Sequence, residues 1–361
     1  MSQKILISID AMGGANSPSA VVEAIGRFLA TNGDTFFQIY GKKMDVLPYV
    51  ILHQLPKNRY KLINCDEAIS DDDKPTEAWR NGKNSSMRKA IEAVQNGQAH
   101  TVVSCGNTGA LMLIAKMLLG TIGNIKRPAI AGVFPNMKKD KTIVLDMGAN
   151  LECSETHLFQ FALMGSCFAR ALFQKENPKV GILNVGSETS KGRELEQMTY
   201  KILEESELNF VGFVEGHEVA QGKVDVLVTD GFSGNIFLKA SEGAAGACID
   251  LVKASIEKGN VIAKLAGLVL KQSIGKSFKH LSPDANNGAM FMGLKGIVIK
   301  SHGSASVDGI VNAISTAHQL VEYDINTKIS EELALFEAKG VGLNFVDIIK
   351  QTSAKILGLK E

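Results

Sequence analysis

The stretch Val224–Lys239, reading VDVLVTDGFSGNIFLK, constrains the fold more than any other part of the chain. Val224 to Asp230 is an apolar run that ends in an acid, the pattern of a parallel strand buried on both faces. Gly231-Phe232-Ser233-Gly234-Asn235 follows as a tight turn, and Ile236-Phe237-Leu238-Lys239 opens a long helical pattern. Free N–H groups and the helix dipole make such a junction a place for an anion. Gly231 and Gly234 allow backbone to approach a ligand closely, and Asn235 can donate from its amide. An ordinary strand-to-helix turn without a ligand has the same pattern.

The pattern recurs. Lys4–Asp10 runs into Ala11-Met12-Gly13-Gly14, and His100–Cys105 into Gly106-Asn107-Thr108-Gly109 and the apolar helix Ala110–Leu119. Thr142–Asp146 is followed by Gly148-Ala149-Asn150, and Val180–Asn184 by Gly186-Ser187-Glu188, with Lys191 and Gly192 before the next helix. Gly296–Lys300 ends in Ser301-His302-Gly303-Ser304, and Phe36–Tyr40, Tyr60–Asn64 and Asn209–Glu215 read as further strands. Strands alternating with helices predict an α/β fold: a doubly wound, mostly parallel sheet with helices on both faces. No Pro/Gly/Ser-rich linker interrupts the alternation. One large domain over 1–335 is expected, with 336–361 as a C-terminal helical extension. Parallel sheets collect such turns at the carboxyl ends of their strands, where they can face one crevice. Asp10, Gly106, Asn107, Thr108, Gly109, Asp146, Asn184, Gly231, Ser233 and Gly234 are the candidate substrate-binding residues. A structural role is equally open for Asp10, Asn107, Asp146 and Asn184.

A formal net charge of +1 gives no argument for a nucleic-acid partner, which calls for a clear basic excess. Five scattered cysteines without a C-x-x-C pair suggest reduced thiols and a cytoplasmic protein. The N-terminal apolar run is too short for a signal peptide, and no stretch is long enough to span a membrane. Local charge does cluster. Arg80, Lys83, Arg88 and Lys89 follow an acidic segment, with Ser85 or Ser86 placed to cap a helix. Lys258 to Pro283 lacks acids and interleaves Lys258, Lys264, Lys271, Lys276 and Lys279 with apolar residues. Within a basic amphipathic segment of 250–283, residues 258–279 have the composition of a membrane-surface element, or of a helix packed on the core or a second subunit.

Several chemistries find no support. There is no strand-linked G-x-G-x-x-G, Walker loop, H-E-x-x-H or nucleophile elbow. Asp10, Asp146 and Asp230 each end a strand, so they either cap the following turn or gather around a metal. Cys105 precedes a helix, where a thiol can become reactive. What remains is a rim of glycine turns, with asparagines and the loop lysine Lys191. Such a rim suits an oxyanion and a polarised carbonyl. Acyl transfer to phosphate is consistent with it, because phosphate needs orientation more than a strong base.

The segments ISIDAMGG, SCGNTGALM, RPAIAGVFP, VLDMGAN, ILNVGSETSKG, GFVEG, VLVTDGFSGNIFLKASEG and GIVIKSHGS resemble, in order and over nearly the whole chain, those of the phosphate acyltransferases of bacterial phospholipid synthesis, the PlsX family. Ala15 stands where that family usually has an acid, and Met290 where it has proline. The resemblance implies an isocitrate dehydrogenase/phosphotransacetylase-like fold and a cofactor-free, metal-free acyltransferase. The implied reaction turns acyl–acyl carrier protein and inorganic phosphate into acyl phosphate and free carrier protein. A cytoplasmic homodimer at the inner face of the membrane is also implied, with a glycerol-3-phosphate acyltransferase downstream. Lys191 and Asn235 match the family's catalytic lysine and asparagine. Carrier protein is acidic, so Arg80, Lys83, Arg88, Lys89 and the lysines of 258–279 are docking candidates. The alternatives are a metal-dependent dehydrogenase of the same fold group, covalent transfer through Cys105, and a non-catalytic carrier-protein scaffold at the membrane.

Overall fold

A computed structural model describes residues 4–138, 140–258 and 282–338. The chain opens with β1 (Ile5–Asp10), α1 (Ser19–Thr31), β2 (Thr35–Gly41), α2 (Lys43–Leu52), β3 (Tyr60–Asn64), α3 (Pro75–Asn81), α4 (Ser86–Gln95), β4 (Thr101–Ser104) and α5 (Thr108–Leu119). The middle holds β5 (Ala129–Pro135), β6 (Lys141–Leu145), α6 (Glu155–Phe173), β7 (Val180–Leu183), α7 (Glu194–Glu204), β8 (Phe210–Val214), α8 (Gly216–Ala220), β9 (Val226–Val228) and α9 (Gly231–Glu257). After a short 3-10 turn come β10 (Ala289–Met292), β11 (Ile297–Lys300), α10 (Val307–Glu322) and α11 (Ile325–Ala338).

Among the described residues, the strands join one 11-stranded sheet of order β3-β2-β1-β4-β11-β10-β5-β6-β9-β7-β8. The first five run parallel, as do the last four. Between them β10 is antiparallel to β11 and to β5, and β5 is antiparallel to β6. Three reversals leave the two parallel halves pointing in opposite directions. The carboxyl ends of β1, β4 and β11 therefore point one way along the sheet, and those of β6, β7 and β9 the other. The register nevertheless sets the end of β6 level with the end of β11, since Met290 pairs with both Ala131 and Ile299 and Gly132 pairs with Val144.

Alternation within the strands places the core. Ile5, Ile7 and Ile9 of β1 and Ile297 and Ile299 of β11 face the layer of α1 and α10, packed with Phe28, Ala313 and Ile314. Val102 and Val298 face the opposite layer, where Met87, Ile91, Leu111 and Ile114 of α4 and α5 lie. Each such buried Val, Leu, Ile, Met or Phe side chain stabilises by about 1.5–3 kcal/mol. The second half is built on α6, whose stretch from Leu158 to Ala169 is buried without a break. Gly165 lets α6 press against the sheet, because a Cβ there would lie 2.5 Å from Val226 and 2.9 Å from Leu145.

Helix α9 is different. It has 27 residues, about 40 Å of helix. Among its described side chains only Gly231 and Gly234 are buried. Ser85 does cap α4, its hydroxyl accepting from the Arg88 N–H. The greater part of the basic stretch 258–279 and of the extension 336–361 lies outside the described residues.

Candidate active site

The amino end of α9 is tightly fitted to the rest of the protein. Asp230 is its N-cap and accepts from the Ser233 N–H at 2.6 Å. The helix begins at Gly231, so the expected turn residues Gly231 to Asn235 form its first turns. The Gly231 N–H donates to the Asn150 carbonyl at 2.8 Å, and the Gly234 N–H to the Asp230 carbonyl at 2.9 Å. A Cβ at Gly231 would lie 2.6 Å from the Asn150 carbonyl oxygen, and one at Gly234 only 2.0 Å from that of Asp146. The close approach that these glycines permit is to the protein's own 146–150 loop. The N–H groups of Gly231, Ser233 and Gly234 are all used internally, and the anion at this helix end is Asp230 itself.

Two buried groups hold this arrangement. Asp146 accepts from the backbone N–H groups of Ile130, Gly148, Ala149 and Asn150 and from the Asn150 amide, at 2.7–3.2 Å. Burial pushes its carboxyl up from the ordinary value, and these donors oppose that. Asp230, also buried, gives its second oxygen to Arg193, which pairs with Glu196 as well. Sequence reasoning missed Arg193. The available signal was Asp230 itself, since a buried acid at a strand end needs a charged or hydrogen-bonded partner.

Arg193 closes the loop after β7 onto α9. That loop carries Lys191. Asn184 shapes it, donating to the Gly186 carbonyl at 3.2 Å and packing against Gly192, which has φ +91 and no space for a Cβ. The Lys191 side chain is exposed, as is that of Asn235. Asn235 stands over the 146–150 loop: a Cβ built on Gly148 would lie 3.5 Å from its Cβ and Cγ. Among the described residues, neither side chain has a polar partner. The structure thus carries an uncommitted ammonium and an uncommitted amide on two segments tied together by the Arg193–Asp230 bridge.

The carboxyl ends of β1 and β4 gather the other candidates. Asp10 accepts from Ser86 Oγ at 2.6 Å, Ser104 Oγ at 2.8 Å and the Met12 N–H at 3.2 Å. Burial nevertheless pushes its carboxyl up. The Gly106 N–H donates to Ser104 Oγ at 3.1 Å, and Gly109 in the first turn of α5 packs against Pro75. Thr108 is the first residue of that helix. Asn107 caps α5 through the Ala110 N–H, while its amide donates to the carbonyls of Ser70, Asp71 and Asp73. Its side chain clamps the 70–73 loop. Lys300, also missed from sequence, donates to the Cys105 and Ser301 carbonyls, and burial lowers its pKa.

The remaining readings are narrowed by this geometry. Burial pushes the Cys105 thiol up, opposite to what a thiolate nucleophile needs. Among the described residues, Asp10, Asp146 and Asp230 do not come together as a three-ligand cluster. In the basic patch, Arg88 and Lys89 pair with Glu92, and Arg88 lies 4.4 Å from the Trp79 ring. Arg80 and Lys83 remain exposed. Among the described residues, no helix is long and apolar enough to cross a membrane.

The sequence profile of the fatty acid synthesis protein family matches residues 5–328. The chain belongs to that family. The phosphate acyltransferase of Ehrlichia ruminantium (strain Gardel) is 44% identical over 334 residues, covering 91% of this chain and 97% of that protein. That of Pelagibacter ubique (strain HTCC1062) is 38% identical over 336 residues, 92% of this chain and all of the other. The fold is shared with a phosphotransacetylase from Streptococcus pyogenes, with a TM-score of 0.57 at 18% identity over 89% of this chain and 95% of that one. A branched-chain phosphotransacylase from Enterococcus faecalis V583 superposes with a TM-score of 0.55 at 15% identity, over 88% and 99% of the two chains.

Proposed function

We propose that this member of the family is a phosphate acyltransferase that moves an acyl group from the thioester of acyl carrier protein to inorganic phosphate. A phosphate oxygen forms a bond to the thioester carbon, the carbon–sulfur bond breaks, and the carrier thiolate leaves and takes up a proton. Acyl phosphate is the product, passed to a glycerol-3-phosphate acyltransferase in phospholipid synthesis. The relatives named phosphate acyltransferase support this assignment.

The Arg193–Asp230 bridge carries the placement of the site, because it ties the Lys191 loop to the helix that presents Asn235. Lys191 binds phosphate and offsets its charge as it nears the thioester. The Asn235 amide donates to the thioester oxygen as negative charge develops there. Asp10, Gly106, Asn107, Thr108, Gly109, Asp146, Asn184, Gly231, Ser233 and Gly234 belong in this reading to the turns that shape the substrate site. Arg80 and Lys83 meet the acidic carrier. The long exposed α9 fits a place between two copies of the chain or against the inner face of the membrane.

Lys191→Ala and Asn235→Ala test the assignment. Each should keep the fold by circular dichroism and lose about 10²–10³ in kcat, the usual effect of removing one oxyanion donor. Near-wild-type turnover in either folded variant removes that residue from the mechanism.

A further inference from the structure

We propose that Asp34, His318 and Glu322 form a site for a divalent transition metal of the zinc class, remote from the acyl-transfer residues. Asp34 immediately precedes β2, and His318 and Glu322 are four residues apart on one face of α10. One ligand atom from each residue lies within 4.8 Å of the others. His318 Nε2 is 3.3 Å from Asp34 Oδ1, and Nδ1 is 3.4 Å from Glu322 Oε2.

Two of the three ligands are held in place. The His318 ring is buried, with its centroid 5.7 Å from that of Phe28 on α1. The Asp34 carbonyl accepts from the Ile5 N–H at 3.0 Å, which fixes its backbone to the start of β1. Glu322, with a side chain 54% exposed, now rests against the other ring nitrogen, Nδ1. An ion on Nε2 beside Asp34 would draw it in from its present place at Nδ1. One imidazole and two carboxylates suit zinc and its first-row neighbours better than magnesium, which keeps most of its waters, or calcium, which takes only oxygen.

The surroundings leave coordination positions open. Asp34 and Glu322 line a cavity of about 930 Å³ with His100, Lys295 and Thr327. This cavity lies at the amino ends of β1, β4 and β11, the edge away from Asp10 and Ser104. An ion there joins α10 to the turn between α1 and β2, so binding stabilises the first half of the sheet.

The test uses the full chain, stripped with EDTA, in a Cys248→Ser background because Cys248 is the exposed cysteine among the described residues. Zinc titrated by calorimetry should bind saturably at one site and raise the melting temperature, while magnesium should do neither. Cobalt in the same site should give visible absorption bands. His318→Gln should abolish all three signals. Glu322→Gln alters an exposed side chain, so it should weaken binding severalfold without unfolding the chain. Absence of saturable zinc binding, or zinc binding unchanged in both variants, overturns the proposal.

Discussion

Helix α9 carries an internal experiment on what its glycines do. Alanine at Gly234 places a Cβ 2.0 Å from the Asp146 carbonyl oxygen, where real contacts begin near 3.0 Å. The amino end of α9 and the 146–150 loop must part by about 1 Å. Neither side yields easily, because Asp146 is held by four backbone N–H groups and α9 by its Asp230 cap. Overpacking of this kind costs typically about 1–3 kcal/mol. The upper end is expected, since backbone rather than a flexible side chain stands in the way. Alanine's better helix propensity returns at most about 1 kcal/mol. At Gly243 in the same helix a Cβ meets nothing within 4 Å. There only the propensity gain applies, and Gly243→Ala should stabilise slightly. Because Asn235 follows Gly234, a 1 Å displacement should also lower turnover by about 10². Urea denaturation and steady-state turnover of both variants check this. Unchanged stability and turnover in Gly234→Ala would refute the claim that this glycine exists for helix–loop contact.

Further outcomes follow from other parts of the molecule. Asp10 has its folded-state pKa raised above the ordinary 3.8 by burial, so the folded state holds this proton more tightly than the unfolded one. Its contribution is present in full below 3.8 and is lost as pH rises through the folded value. The stability of wild type relative to Asp10→Asn, measured by urea midpoints, should increase as pH is lowered through that window; a decrease contradicts the sign. Cys105→Ser should retain turnover, and complete inactivity in the folded variant would restore the covalent route. Arg80→Glu with Lys83→Glu should weaken carrier-protein binding, an effect that fades at high salt. Arg88→Ala should act mainly on stability, by removing the Glu92 pair and the Trp79 stack; unchanged carrier affinity in the first variant contradicts the docking surface.

Most of the parallel strands were legible because they are apolar runs that give way within a few residues to glycine, asparagine or an acid. The two antiparallel strands were not. β5, AIAGVFP, is rich in alanine and glycine and ends at proline, and β10, AMFM, has only four residues. Those strands reverse the sheet, so without them the two halves appear to run the same way. Glycine and asparagine were ambiguous in a further way. A sequence shows that backbone approaches something at Gly231 and Gly234, but not whether that is a ligand or the 146–150 loop. Asn107 and Asn184 likewise spend their amides on the protein's own carbonyls. Lys191 and Asn235 stand apart because their polar groups are uncommitted, which only the three-dimensional arrangement reveals. Arg193 escaped notice because its partner is 37 residues away in the chain.

The most direct measurement is thioester loss from a long-chain acyl–acyl carrier protein incubated with the chain, with and without inorganic phosphate, and with hydroxylamine to trap the product. Phosphate-dependent loss with formation of the acyl hydroxamate is the expected result. Thioester loss that does not depend on phosphate, or none under either condition, would contradict acyl transfer to phosphate.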